Sequence, residues 1–307
     1  RRGDLAGMSA QATTAGARMP SVGGSPRRLA GLFDGQGGRW LVGLPLIFLL
    51  LLLIVPLGYV VTLGFQHQGA ATSGYHQTIT DPLFRAALWR TFVLAAIVSG
   101  MAMVLGTLFA LALAVAPRWL AAVMLIALFT IFWTSILVRT YGWILLYLPT
   151  GPIYEVLHAV GLAHGPISIY QTNFASYPAM VHVMLPYVVL PVFAAARQID
   201  PTLIRAARVL GAKAPLILWK VVMPALRAGI AAGAVMVFVM SLGFYVTPTL
   251  LGSQTEQLVS TLIGLDFSQP GQAPVAAAMS VALLLIVVVV YVIADRLFGV
   301  SEQWGAA

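Results

Sequence analysis

The sequence predicts an all-α polytopic membrane protein with six transmembrane helices and both termini in the cytoplasm. Three observations carry that expectation. Of 307 residues, 60% are apolar and only 8% charged, and mean hydropathy is +0.93; a soluble domain carries roughly 25% charged residues. Six segments are long enough to cross a hydrocarbon layer of ~30 Å, which takes about 20 apolar residues. Finally, fourteen of the seventeen Lys and Arg fall on one side of those segments, in the amino-terminal tail, at Arg118, in the 197–227 loop and at Arg296. The other side holds three, Arg85, Arg90 and Arg139. Basic residues collect in cytoplasmic loops, so the net charge of +8 is an orientation signal rather than a nucleic-acid footprint.

Residues 1–39, rich in Gly, Ala, Ser and Arg, cannot bury enough surface to order themselves and are expected to form a flexible cytoplasmic tail. The first long apolar run begins near Trp40 and is too long for the core of a secretory signal peptide, so none is expected. The spans lie near 40–65, 88–116, 119–147, 174–196, 226–250 and 276–297, within a transmembrane domain of 40–298. Ala116-Pro117-Arg118 makes a tight cytoplasmic hairpin between the second and third. Pro149-Thr150-Gly151-Pro152 ends the third in a turn, and Ile153–His158 forms a short interfacial helix with Glu155 in solvent. Tyr154, Tyr170 and Tyr177 suit the headgroup zone. Gly229-x-x-x-Gly233 gives the fifth span a face for close packing. Pro270, Gly271 and Pro274 mark an interfacial loop before the sixth, and 299–307 is a short cytoplasmic tail.

One loop stands apart. Residues 200–224, DPTLIRAARVLGAKAPLILWKVVMP, are basic and amphipathic between two long uncharged runs. Asp200-Pro201 starts a helix: a side-chain acceptor for free N–H groups, then a residue with its φ already helical. Leu203, Ala206, Ala207 and Leu210 recur at the spacing of one helix face, with Arg205 and Arg208 off it. Gly211 ends the helix in a left-handed turn, Pro215 opens a second short helix and Pro224 marks the return of membrane-type sequence. On composition alone this is also what a solvated, orienting loop looks like.

The chain lacks the constellations of chemistry. None of its nine carboxylates falls at the centre of an expected span, which disfavours an ion-coupled carrier. There is no Cys, no His-Glu-x-x-His, no nucleophile elbow and no phosphate-cradling loop with Lys, so neither a resident metal nor nucleotide hydrolysis by this chain is expected. Outer-loop histidines 67, 76, 158 and 164 read as solvated, and His182, alone in an apolar span, as hydrogen-bonded packing. The most polar and aromatic cluster is Ser135, Arg139, Thr140, Tyr141, Trp143 and Tyr147. It suits either interfacial anchoring, with Arg139 snorkelling outward, or a pathway offering hydroxyls and aromatic faces to a polar solute.

The small pair Ala206-Ala207, Gly211 four positions on, and Val221-x-Met223-Pro224 together resemble the EAA loop of permease subunits in binding-protein-dependent ABC importers. Arg205 departs from the pattern, standing where that family usually has Glu. Ser135–Gly142, SILVRTYG, then Trp143, and Ser241–Gly252, SLGFYVTPTLLG, resemble the signatures of the polyamine branch. The resemblance spans about residues 40–298 and implies a type I importer permease fold, five spans forming the pathway core with the first packed around it. It implies that Leu203, Arg205, Ala206, Ala207, Arg208, Gly211, Pro215 and Pro224 meet an ATPase subunit, the prolines fixing helix ends. Ser135, Arg139, Tyr141, Trp143, Tyr147, Phe244 and Tyr245 would line the pathway. The implied partners are a pair of ABC ATPase subunits that bind ATP and Mg, a second permease (copy or paralogue), an extracytoplasmic binding protein and membrane lipid, with no nucleic acid. The implied solute is putrescine or spermidine; opine-like or amino-acid-like solutes remain alternatives, as does a channel or stand-alone carrier.

Overall fold

The computed structural model describes residues 36–66, 73–162 and 169–298, so most of the expected tails, together with His67 and His164, lie outside the described residues. The chain divides near Leu57 into an amino-terminal unit and a unit running from Gly58. Helix α1, Gln36–Leu63, carries Pro45 and Pro56 inside a continuous apolar run. It begins at Gln36, four residues into what the sequence assigns to the tail.

In the second unit every described element is helical. A short α2, Gly74–Thr80, leads into α3, Pro82–Val115, which starts six residues before the expected span because Asp81 caps it and Pro82 supplies its first helical φ. After Pro117 come α4, Arg118–Trp133, and α5, Ile136–Leu146; then α6, Pro152–Ala159, and α7, Asn173–Arg197. The loop helix α8, Pro201–Val209, is followed by α9, Ala214–Ile217, a π-helical turn at Leu218–Val222, and α10, Met223–Leu242. Last are α11, Val246–Leu251, α12, Val259–Ser268, and α13, Ala273–Phe298. Among the described residues five helices are long and apolar enough to cross a membrane, and a sixth span is obtained if the bent α4–α5 pair counts as one.

The core is a bundle of α3, α7 and α10. Lipid tails are as apolar as leucine, so such helices associate through close packing and polar contacts rather than through water exclusion. The sequence supplies both. A Cβ added at Gly106 of α3 would lie 2.8 Å from the Val188 Cβ, and one at Gly233 of α10 would lie 2.8 Å from the Val188 Cα. One at Gly229 would meet the Pro191 carbonyl oxygen at 2.7 Å. The Gly229/Gly233 face is therefore a close-packing face, and its partner is α7. Ser99 bridges α3 to α10 by donating to the Ala234 carbonyl at 2.7 Å. Met180 and Met184 fill the centre beside Leu94, Val98 and Leu226, all buried.

Three expectations need correction. The third span is not continuous: α4 and α5 meet at 104°. Thr130 and Thr134 each turn a hydroxyl back to the carbonyl four residues earlier, and Thr134 and Ser135 then leave helical geometry. Such back-bonding competes with the helical ladder, and serine favours a new helix start. The fifth span ends at Leu242 rather than near 250, with α11 a separate element. Nor is Pro224 a break before it, because Ala214–Leu242 runs on as one apolar helix. The π turn makes this possible. The Met223 N–H reaches back five residues to the Leu218 carbonyl, and the widened turn gives room to a ring that would collide with the ordinary i−4 carbonyl.

Candidate functional site

Two regions hold the residues singled out from the sequence, the α8 hairpin and the bent outer helices. At the hairpin's start the Asp200 carboxylate accepts the Thr202 N–H at 2.8 Å. Bonds from Thr202, its hydroxyl foremost and its backbone second, hold the Asp200 carboxyl below the usual carboxylate range. At its end Gly211 sits at φ +80°. Its N–H donates to the Arg208 carbonyl at 2.9 Å and the Ala212 N–H to the Ala207 carbonyl at 3.0 Å. This reciprocal pair satisfies carbonyls that a helix end leaves open.

The hairpin's faces differ from the simple stripe. Ile204 and Ala207 are partly buried, and Ile204 with Arg208, Ala212, Ala214, Ile217, Leu218 and Val222 borders a shallow cavity of about 250 Å³. Leu203, Ala206 and Leu210 turn outward with Val209, which the stripe did not include. Val209 and Leu210 are 88% and 86% exposed, the most exposed large apolar side chains of this segment. Arg205 and Arg208 stand among them, exposed. Apart from the capping Asp200 there is no acidic residue between Ile199 and Glu256. A surface of this kind, apolar and cationic at once, stands open among the described residues. Pro215 opens α9, as its fixed φ suits.

At the other end, the bend after Trp133 lays α5 against α7 and α11. Thr140 and Thr247 meet through buried hydroxyls 3.3 Å apart. Thr140 already donates to the Ile136 carbonyl at 2.9 Å, so Thr247 is the donor between them. The Trp143 Nε1–H donates to His182 Nδ1 at 3.4 Å, and the indole stacks on Tyr147 with centroids 5.5 Å apart. His182 thus takes the packing role expected of it, as an acceptor with any ring proton on Nε2. Arg139 is half-buried and interacts electrostatically with Tyr187 and His182 of α7; its Nε is enclosed without a hydrogen-bond partner among the described residues. Ser135 and Tyr141 stay exposed and outside this cluster.

Phe244 and Tyr245 occupy the gap between α10 and α11, which α12 supports from below. Ser260 Oγ donates to the Phe244 carbonyl at 2.8 Å, and the Tyr245 ring covers Gly264, where a Cβ would lie 2.7 Å from it. Helix α12 is in turn tied to the bundle by its Val259 N–H, which donates to Thr91 Oγ1 at 3.0 Å. Sequence reasoning passed over Thr91, Thr247, Ser260 and Gly264. Their signal was hydroxyls and glycines at apolar positions, which membrane spans use to join helices.

With this geometry in place, comparison with known proteins decides the family. The model of the binding-protein-dependent transport system inner membrane component matches residues 102–304. The chain belongs to that family. It is similar to the spermidine/putrescine transport system permease protein PotB of Escherichia coli strain K12, 30% identical over 222 residues, 71% of this chain and 81% of that one. The same protein of Salmonella typhimurium strain SL1344 is 30% identical over 208 residues, 68% of this chain and 72% of the relative. The fold is that of a chain in the crystal structure of a bacterial alginate ABC transporter in complex with its alginate pentasaccharide-bound periplasmic protein. That match has a TM-score of 0.69 at 17% identity and covers 84% of this chain and 93% of that one. This family member is thus a multi-pass protein of the bacterial inner membrane and a permease of a binding-protein-dependent importer. A channel or stand-alone carrier no longer fits, because the family is the inner membrane component of a binding-protein-dependent transport system.

Proposed function

We propose that this permease is moved by separate ATPase subunits through the α8 hairpin and carries a small polar solute, a polyamine such as spermidine or putrescine. The supporting observation is the hairpin itself: a capped, Gly-terminated helix outside the spans that exposes Leu203, Ala206, Val209 and Leu210 beside Arg205 and Arg208. Because α9, the π turn and α10 are continuous, a displacement of the hairpin is passed into the fifth span without a loop between them. ATP and Mg would be bound by the ATPase pair and none by this chain. A second permease, copy or paralogue, would complete the pathway. The positive side, and with it both termini, faces the cytoplasm. The solute rests on the names of the relatives and on aromatic side chains, which attract cations through their ring faces.

A second reading, an opine-like or amino-acid-like solute, is favoured by Arg139. A cation lies in the bent span, and no carboxylate lies in the middle of any described span. The pathway residues would then be Ser135, Arg139, Tyr141, Trp143, Tyr147, Phe244 and Tyr245 in either case. Of these, Tyr141 and Tyr245 are the best placed to meet a solute, being 56% and 46% exposed while Tyr147 is packed.

The test of the hairpin is co-purification of the ATPase subunit with the full permease. Arg205→Glu, which restores the family's usual sign, and Leu210→Asp are the variants. Wild type should retain the ATPase and Leu210→Asp should lose it; retention by Leu210→Asp would sink the docking assignment. If Arg205 faces a carboxylate on its own ATPase, Arg205→Glu also releases the subunit. For the pathway, cysteine placed at 141 or 245 should lose thiol labelling when loaded binding protein and ATP are trapped on the complex.

A further inference from the structure

Helix α12 is apolar but only ten residues long, about 15 Å, half of what crossing the hydrocarbon layer takes. Its base lies in α3 and α13. Val259 is fully buried and its N–H donates to Thr91 Oγ1 at 3.0 Å, beside the apolar side chains of Phe84, Val275 and Met279. Ser260 and Gly264, one turn apart, form a second face of the helix, and it receives two consecutive residues of the α10–α11 joint. Ser260 Oγ donates to the Phe244 carbonyl at 2.8 Å, and Gly264 meets the Tyr245 ring. The Tyr245 carbonyl in turn accepts the Thr249 N–H at 3.0 Å and the Thr249 hydroxyl at 2.7 Å. The main chain beneath this ring is thus fixed on both sides.

Gly264 provides room rather than an unusual backbone. Its φ lies outside the left-handed region, and a glycine inside a helix weakens it relative to alanine. A Cβ at 264 would lie 2.7 Å from Tyr245 Cε2, 2.8 Å from Oη and 3.1 Å from Cζ, the atom between them. For an atom over a ring face, Cζ would not be the farthest of the three, so the glycine abuts the ring edge. Both faces are left clear of it, and Tyr245 is 46% exposed. Tyr147, by contrast, has a face covered by the Trp143 indole.

We infer that Ser260 and Gly264 are positioning residues, which hold Tyr245 by its edge so that an open ring face meets an ammonium group of the solute. The inference rests on the pathway and polyamine reading above; it adds the side chain that takes the charge and the seat that aims it. A ring attracts a cation lying over its face within about 6 Å of its centre, so the attraction requires the ring to stay turned toward it. A tyrosine free to rotate at a helix break would lose that freedom on meeting the solute, whereas a seated one has already given it up. The platform is shared between two parts of the bundle, since α12 stands on α3 and α13 while Tyr245 belongs to the α10–α11 joint.

The full-length permease is placed in nanodiscs and its melting temperature followed as spermidine is added at constant ionic strength. A ligand of the folded chain raises that temperature, and the midpoint of the rise reads affinity. Tyr245→Leu, which removes the ring, should raise the midpoint about fivefold, the worth of one exposed cation–π contact. Gly264→Ala, whose methyl pushes the ring tip aside, should raise it as much, and the double variant no further. Ser260→Ala should move it in the same direction. Without solute, the melting temperatures of the Tyr245 and Gly264 variants should be non-additive, which reads the seat by itself. An unchanged midpoint in Gly264→Ala overturns the inference, and so does an additive double variant, because the glycine would then act elsewhere. An unaltered chain indifferent to spermidine overturns the platform; melts that are still non-additive then locate the failure in the polyamine reading rather than in the seat.

Discussion

In the bundle, Gly106, Gly229 and Gly233 stand where a methyl group would collide with Val188 or Pro191 of α7; in the hairpin, Gly211 has nothing within 4 Å of the place a Cβ would take. The bundle glycines are held by their neighbours. Gly211 is held by its own φ of +80°. One region is a joint whose parts fit tightly, the other a turn projecting into open space. The difference separates two roles that sequence alone writes with the same letter: a packing glycine lets two helices approach, and a conformational glycine shapes a turn.

The comparison is broken most severely at Gly233. Gly233→Ala brings a Cβ within 2.8 Å of backbone that cannot rotate away, and overpacking of this kind costs roughly 1–3 kcal/mol. The detergent-solubilised protein should melt several degrees lower; an unchanged melting temperature would show that α7 and α10 are further apart than described. Gly211→Val comes next, since a left-handed conformation costs about 1–2 kcal/mol for an L-residue. The strain is local to the turn. Folded yield should hold while ATP hydrolysis and uptake in reconstituted vesicles come apart, and Gly211→Asn should keep them coupled. Unchanged uptake by Gly211→Val would count heavily against the hairpin as a coupling element.

A smaller effect is expected at Thr247→Val, which removes the hydroxyl facing Thr140. About 1 kcal/mol is at stake, because Thr140 keeps its own bond to Ile136. Thermal melts of the single and paired variants measure it, and the pair should cost less than the sum. The smallest difference is one of pH. Helix α7 is capped by the uncharged Thr172 hydroxyl, which accepts the Ala175 N–H at 3.4 Å, and α8 by the Asp200 carboxylate. Since the folded Asp200 pKa is depressed, the cap's contribution is complete above the ordinary carboxylate value near ~3.9 and is lost as pH falls through the lower folded one. Amide exchange at the start of α8 should therefore accelerate on strong acidification, and that at the start of α7 should not. Asp200→Asn should abolish the acceleration.

Much of the fold was legible because a membrane simplifies reading. Each span must satisfy its backbone internally and be apolar for its whole length, so uninterrupted runs mark helices. The limits of α7 and α13 fell within a few residues of expectation for this reason. The breaks were harder. Thr134-Ser135 and Gly243–Tyr245 are too short to interrupt the apolar runs around them, and hydropathy does not register a change of direction. At the hairpin, Asp200, Pro201 and Gly211 announced both helix ends, since capping chemistry is local. Which of Leu203, Ile204, Ala207 and Leu210 faced inward depended on where α9 lay.

The sequence by itself determined the class, the number of apolar segments and the hairpin's start and stop, because hydrophobic length, charge asymmetry and cap residues act within a few residues of where they are written. Tertiary structure alone decided that α4 and α5 meet at 104°, that Pro224 continues a helix through a π turn, and that Trp143 is joined to His182 and Thr140 to Thr247. Those features depend on which surfaces meet. A meeting of surfaces is a property of the packed whole, to which residues far apart in the chain contribute together.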